Sequence, residues 1–354
     1  LILKKEKYVD AVIGPQSYHS INEIIRGVED KRKQFEHTTF DVINKFDKLK
    51  LIRNDNSKVS SFLTIQEGCD KFCKFCVVPY TRGPEHSRNY KEIMKEADEL
   101  IANGSSEITL LGQNVNAYNN QRKRLSDIIY DLNEKKGLKR IRYTTSHPKD
   151  MTKDLIDAHK NCKKLMPFLH LPVQSGSDDI LKKMNRKHNV QDYLIIIEKL
   201  KEINSKMEFS SDFIIGYPGE NDNDFNKTCD LMNKVKFINS YSFIFSSRPG
   251  TPASELKNID EDIAKKRLII FQRIADEIKL NYKKKLIKKN VKILFENKVK
   301  NEDDYYFGRD EYQNPVISYS KKSIIGDEKS VIIKKVSQHT IYGEIEDNKG
   351  YLAA

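Results

Sequence analysis

From Ser61 onward the chain repeats one pattern: a short apolar, β-branched run, a polar turn, then a stretch with apolar residues at helical spacing. The runs are "SFLTI" from Ser61, "EITLLG" from Glu107, "RIRYTTS" from Arg140, "FLHLPV" from Phe168, "FSSDFIIG" from Phe209 and "SYSFIFS" from Ser240. Between them lie stretches such as "YKEIMKEADELIANG" and "VQDYLIIIEKLKEI", the second of which sets Tyr193, Ile196, Ile197 and Leu200 on one helical face. Strand alternating with helix predicts an α/β fold with a parallel sheet and right-handed crossovers, here an open or partly closed six-stranded (β/α)6 barrel. After a helix starting near Asp260 the pattern changes. "VKILFENKV", "YYFGRD", "PVISYS", "SVIIKKVS" and "TIYGEIE" read as five short strands, which predicts a small all-β barrel at the C-terminus.

Composition narrows the class. At 354 residues, two or three domains are expected. No apolar run approaches the ~20 residues of a membrane span, and the mean hydropathy is −0.66. Nothing at the start reads as a signal peptide. A net charge of +12 favours a polyanionic partner. Five cysteines, three of them bunched, point to a reducing compartment and a metal site rather than a disulfide framework, so a cytoplasmic location is expected.

The turns at the strand ends carry the candidate chemistry. The cysteine-bearing loop comes after the first strand, and then come "GQNVNAY", "SHP", "QSGS", "GYPGE" and "SSRPGTP". In parallel α/β folds functional groups gather at the carboxyl ends of the strands. In "QEGCDKFCKFCVVPYTRG", Cys69, Cys73 and Cys76 are spaced C-x3-C-x2-C. An odd count argues against a disulfide. Structural zinc requires a fourth ligand, for which His86 is available ten residues past Cys76. A [4Fe–4S] cluster held by three cysteines leaves one iron open. Placement at the catalytic mouth favours the iron–sulfur reading. Cys162 and Cys229, each isolated in a helical stretch, read as small buried thiols.

With Phe75 between its last two cysteines, the loop resembles the signature of the radical S-adenosylmethionine (SAM) superfamily. "GCDKFCKFCVVPYTRGPEHSR", "LLGQNVNAY", "TTSHP", "FLHLPVQSGS", "SSDFIIGYPGE" and "SYSFIFSSRPGTPA" resemble the methylthiotransferases, and among them the branch acting on isopentenylated adenosine in tRNA. The resemblance implies that Cys69, Cys73 and Cys76 hold the cluster, that its open iron chelates SAM, and that an electron cleaves SAM to methionine and a 5′-deoxyadenosyl radical. It implies a transferase that abstracts hydrogen from C2 of the adenosine beside the anticodon, inserts sulfur and methylates it from a second SAM. It places Phe75 near the SAM adenine, and Gly216 and Gly219 of "GYPGE" where backbone approaches the nucleoside. Gln113, Asn114, Ser146, Gln174 and Ser175 become mouth residues in contact with SAM or the substrate base, Gln113, Ser146 and Gln174 being assigned to the cofactor, and Arg186 of "MNRKH" a partner for the SAM carboxylate. An electron donor such as flavodoxin or ferredoxin is implied, and a monomer is expected. Methylthiotransferases acting on another modified adenosine or on a ribosomal protein, and a non-catalytic zinc and RNA-binding protein, are the alternative readings.

The family also carries an N-terminal domain with three further cysteines for a second [4Fe–4S] cluster. Here residues 1 to 50 contain none, and "YVDAVIGPQSYHSINEII" resembles the end of that domain, so a remnant lacking its beginning is expected. The radical SAM core is expected over residues 55–285. The small barrel, over 286–350, resembles the TRAM domain of tRNA-modifying enzymes. Lys284, Lys285, Lys288 and Lys289 are its expected phosphate contacts with a tRNA anticodon stem-loop, and Tyr305, Tyr306, Phe307, Tyr312 and Tyr342 its aromatics, divided between RNA stacking and core.

Overall fold

The computed structural model describes residues 2–31, 35–37 and 58–346. The expected N-terminal remnant therefore lies partly outside the described residues; within them, Ala11–Ile13 pairs in parallel with Phe35–His37.

The alternating pattern forms six parallel strands: β1 (Ser60–Thr64), β2 (Glu107–Leu111), β3 (Arg140–Tyr143), β4 (Phe168–His170), β5 (Glu208–Ile215) and β6 (Asn239–Ile244). Each precedes a helix: α1 (Tyr90–Ala102), α2 (Leu125–Glu134), α3 (Lys153–Asn161), α4 (Val190–Ile203), α5 (Asp222–Val235) and α6 (Glu261–Lys284). The strands β1-β2-β3 and β4-β5-β6 form two sheets. Residues 164–166 join them beside β3, where Ile141 N–H donates to Lys164 O at 2.7 Å and Met166 N–H to Ile141 O at 3.0 Å. Spatial order thus follows chain order, and among the described residues the half-barrel is open between β1 and β6.

Local chemistry sets where several helices begin. Asn89, Asn189, Asn221 and Asp260 cap α1, α4, α5 and α6, each side chain accepting from a free N–H of the first turn. Such a cap stabilises a helix by about 1 kcal/mol. The strand pleat sorts the rest. Leu63, Phe209, Phe213 and Ile215 face the helices and pack with Ile93, Ile128, Tyr193, Ile197, Phe225 and Phe271 in one core. Alternate positions, among them Phe62, Thr109, Arg142, Asp212 and Tyr241, share the other, inner face through the strand registers.

Beyond α6 the five short strands close a barrel: β7 (Asn290–Lys298), β8 (Tyr305–Arg309), β9 (Pro315–Tyr319), β10 (Glu328–Val336) and β11 (Ile341–Ile345), in the order β7-β8-β9-β11-β10. Closure removes edges that would otherwise invite another chain. Ile293, Phe295, Tyr306, Val316, Val331, Ile333 and Ile341 fill it.

Two arginines of β3 join the units. Arg140, fully buried, donates from Nε to Glu328 Oε1 at 2.9 Å, from Nη1 to Arg309 O at 2.8 Å and from Nη2 to Lys292 O at 3.1 Å. Arg142 pairs through Nε with Glu107 Oε2 at 2.9 Å and donates to Glu311 O at 2.8 Å and Asp310 O at 3.0 Å. Asp310 shapes the receiving turn by accepting from the N–H groups of Tyr312 and Asn314, each at 2.8 Å. Among the described residues no helix is long and apolar enough to cross a membrane.

Breaking a buried ion pair from one side costs about 3–5 kcal/mol, because the other charge stays buried. Arg142→Met should therefore lower the urea midpoint strongly. Adding Glu107→Gln should recover part of the loss, and equal midpoints for the single and double variants would contradict this account.

Candidate active site

The three-cysteine loop leaves the end of β1 and has no regular structure of its own, so side chains must hold it. Gln66, fully buried, is the hub. Its Oε1 accepts from Asn114 N–H at 3.0 Å, and its Nε2 donates to Glu67 O at 3.0 Å and Gly68 O at 2.7 Å. Gly68 N–H donates to Gln113 Oε1 at 2.7 Å. Gly68 has φ +74°, and a Cβ there would lie 1.9 Å from Pro84 O, so only glycine fits. Beyond it, Asn114 Nδ2 donates to Asp150 Oδ2 at 2.8 Å and Glu85 Oε1 at 3.1 Å. Lys71 Nζ sits 2.9 Å from Asp150 Oδ2.

A second clamp comes from the turn after the short helix Asp178–Lys183. Lys74 N–H donates to Met184 O at 3.0 Å, and Asn185 Nδ2 donates to Phe72 O at 2.9 Å. The buried Arg186 reaches Cys73 Sγ from Nη1 at 3.4 Å and Pro172 O from Nη2 at 2.5 Å.

Chemically, burial holds two of the loop's thiols, Cys69 and Cys76, in their neutral form. Burial pushes Cys69 up to about 11, with Glu85 and the other two thiols adding to the rise. Cys76 is raised as well, again chiefly by burial. Bound metal reverses this, since it takes the thiolate. Among the described residues, no three His, Cys, Asp or Glu side chains stand close enough to share one metal ion. A four-iron cluster puts each thiolate on its own iron, so the donor set fits a cluster.

Beside the loop lie buried polar atoms that no described residue satisfies: Ser146 Oγ, His147 Nε2, Arg186 Nε and Asn114 Oδ1. His147 is held by Asn116, which accepts from its N–H and donates to its carbonyl, both at 2.9 Å. Its Nδ1 accepts from Lys149 N–H at 3.1 Å, which puts the proton on Nε2. Burial, reinforced by Arg186 and His188, pushes this imidazole far below its usual range, so it stays neutral. A hydroxyl, an imidazole N–H and a guanidinium N–H therefore remain available to a ligand.

The family model of the radical SAM superfamily matches residues 63–232. The chain is 53% identical over 351 residues to the tRNA-2-methylthio-N(6)-dimethylallyladenosine synthase of Pelagibacter ubique (strain HTCC1062), covering 98% of this chain and 78% of that protein. It is 48% identical to the protein of the same name from Neorickettsia sennetsu (strain ATCC VR-367 / Miyayama), covering 90% and 68%. The chain belongs to the tRNA-2-methylthio-N(6)-dimethylallyladenosine synthase family. Among solved structures it is similar to coproporphyrinogen III oxidase (HemN) from Escherichia coli, a radical SAM enzyme, with a TM-score of 0.46 and 13% identity over 78% of this chain and 74% of that one. The cofactors of this radical SAM family are a [4Fe–4S] cluster and SAM.

The other residues that the family resemblance implied are placed unevenly. Gln113 and Asn114 brace the cysteine loop. Phe75 is half-buried against Ile180, Met184, Tyr217, Phe245 and Ala253. Gln174 has φ +80°, and its backbone is tied to β5 through Asp212 O and Ile214 N–H, each at 3.0 Å. Ser175 is fully buried; its Oγ accepts from Ser177 N–H at 3.2 Å and lies 3.3 Å from Thr228 Oγ1, so it serves its own turn. A Cβ on Gly216 would meet Ala264 at 2.9 Å, so its backbone packs against α6; one on Gly219 would meet Lys183 Nζ at 2.9 Å. Cys162 and Cys229 are buried thiols far along the chain from the loop. Gln66, Asp150 and His188 were not foreseen. The signal for Gln66 was a polar residue directly continuing an apolar strand.

Because the loop closes over Gly68, Gly68→Ala should leave the circular dichroism spectrum unchanged while iron loading falls from about four per chain to well below one. Full iron loading in that variant would show that the closure at Pro84 is dispensable.

Proposed function

We propose that this chain is a tRNA methylthiotransferase, placing a methylthio group on C2 of N6-dimethylallyladenosine, with Cys69, Cys73 and Cys76 as its cluster ligands. The observation that carries the reading is the three-thiol loop at the carboxyl ends of a parallel half-barrel, braced on both sides and bordered by unsatisfied buried donors. When bound, the cluster supplies the electron that cleaves SAM. The protein's part is to position, to exclude water and to offer donors. Ser146 Oγ, His147 Nε2–H and Arg186 Nε–H suit a carboxylate, and we assign them to the amino-acid end of SAM. Phe75 gives an apolar surface beside them. Gln174, Gly216 and Gly219 shape turns at the same end of the sheet.

The C-terminal barrel, residues 286–350 following a core over 55–285, is the RNA-gripping unit in this reading, a TRAM-like module for the anticodon stem-loop. Lys284, Lys285, Lys288 and Lys289 are all exposed where α6 passes into β7. Tyr305 and Tyr342 present exposed rings, whereas Tyr306 is core. Tyr312 is engaged elsewhere, its hydroxyl donating to Lys206 O at 3.1 Å. A flavodoxin or ferredoxin as electron donor, action as a monomer and a cytoplasmic location complete the proposal.

The cluster test is anaerobic reconstitution. The chain should bind about four irons and four sulfides, turn brown, and release 5′-deoxyadenosine from SAM when reduced. The triple Cys69→Ala, Cys73→Ala, Cys76→Ala variant should do none of these, while Cys162→Ala and Cys229→Ala should behave as the parent. Zinc in place of iron, with no visible absorption, would sink the assignment.

RNA binding is tested by salt dependence. If Lys288 contacts a phosphate, Lys288→Ala should lower the slope of log affinity for tRNA against log salt by about one. Parent-like slopes in all four single lysine variants would move the RNA contact to another face.

A further inference from the structure

Arg186 occupies an unusual position. It is 5% exposed, yet forms no salt bridge to a carboxylate among the described residues. Its guanidinium has two neighbours by hydrogen bond: Pro172 O and the sulfur of Cys73. A buried cation is costly unless something nearby supplies negative charge. Cys73 lies alongside it at 7% exposure with its sulfur 3.4 Å from Nη1, so a cluster held through Cys73 would set a ligand sulfur against this cation. The arginine is also held rigidly. Its N–H donates to Leu181 O at 2.9 Å, and the residues on either side, Asn185 and Lys187, have φ of +62° and +60°. The same turn grips the cysteine loop through Met184 O and the Asn185 side chain. The guanidinium is therefore delivered to Cys73 from a segment fastened to the loop it serves.

We propose that Arg186 is a positioning residue for the cluster: it orients the Cys73 thiolate and, as a fixed buried cation beside one ligand sulfur, raises the cluster's reduction potential. This rests on the assignment of Cys73 as a cluster ligand. It differs from a role confined to the SAM carboxylate, because Nη1 and Nη2 each already donate to the sulfur or to backbone, and Nε is the guanidinium nitrogen with no partner. The sign comes from electrostatics. Reduction adds negative charge to the cluster, and a nearby cation donating to a ligand sulfur favours the more negative state.

The test is a potentiometric titration of the reconstituted chain without SAM, with mediators and dithionite and with the reduced cluster followed by electron paramagnetic resonance. Parent, Arg186→Lys and Arg186→Met are compared, with iron and sulfide measured on each. Arg186→Met should make reduction harder by about tenfold in equilibrium constant, which is a shift of about 59 mV to more negative potential for one electron. Arg186→Lys, which keeps the charge, should fall between the two. Loading that survives in Arg186→Lys but not in Arg186→Met would support the orienting role directly. Full loading with an unshifted potential in both variants would overturn the proposal. So would equal loss of loading in both, accompanied by a lowered melting temperature of the apoprotein, since that outcome assigns a purely structural role. Absence of iron from the parent would remove the ligand assignment itself, and the iron analysis separates that failure from the others.

Discussion

A loop that must present three thiols cannot also satisfy its own backbone, and the rest of the site is arranged around that constraint. Strand β1 ends, the chain turns away from the sheet, and Gln66–Glu67 makes a short antiparallel pairing with His86–Ser87 before the cysteines begin. Gln66 braces this turn from inside, with one amide side chain bonded to three backbone groups. Gln113, one strand over, takes the N–H of Gly68. The network spans β1 and β2 at their carboxyl ends and so fixes the loop to the most rigid part of the fold. Polar networks of this kind specify one arrangement only when fully satisfied. Here the inner part is satisfied, while the outer part keeps buried atoms without a described partner, among them Asn114 Oδ1.

The two clamps divide the labour. The Gln66 side fixes where the loop starts, and the turn at 184–186 fixes where Cys73 sits. Strand β4 and the short helix after it are therefore as much a part of the cysteine site as the cysteine loop itself. The halves of the molecule are bound differently: both guanidinia of β3 cross into the small barrel and are buried at the junction. The inner surface near β3 is thereby occupied by charged structure, and the exposed Phe62, Tyr241 and Phe243 are left on the edge strands β1 and β6.

Much of this was legible in the sequence. All six core strands and all five small-barrel strands fall on the runs that periodicity marked, and the helix "VQDYLIIIEKLKEI" coincides with α4 at both ends. Such elements are local: the apolar spacing is dictated by the element that uses it, and Asn or Asp caps mark the start. The cysteine loop was legible because its spacing is itself local chemistry. Partnerships between distant side chains were not legible. Nothing near Arg186 announces that its guanidinium turns inward to a sulfur 113 positions earlier. Likewise "RIRY" reads as a strand. Its two arginines, on alternate positions and so on one face, were a usable sign that the inner surface meets something other than solvent. Gly216 looked like a place for a ligand to approach, but its missing Cβ makes room for Ala264 of α6.

The junction at β3 has one further property. Of the contacts made by Arg140 and Arg142 to the small barrel, those to Lys292, Arg309, Asp310 and Glu311 all end on main-chain oxygens, as does that of Lys139 to Gly326. A carbonyl is present whatever the side chain, so the docking instruction is written almost wholly on one partner. Glu328, the Asp310 turn and Tyr312, whose hydroxyl donates to Lys206 O, are the barrel side chains that this joint uses. A barrel of the same backbone and a different surface could be grafted onto this core, which makes the junction a general-purpose socket.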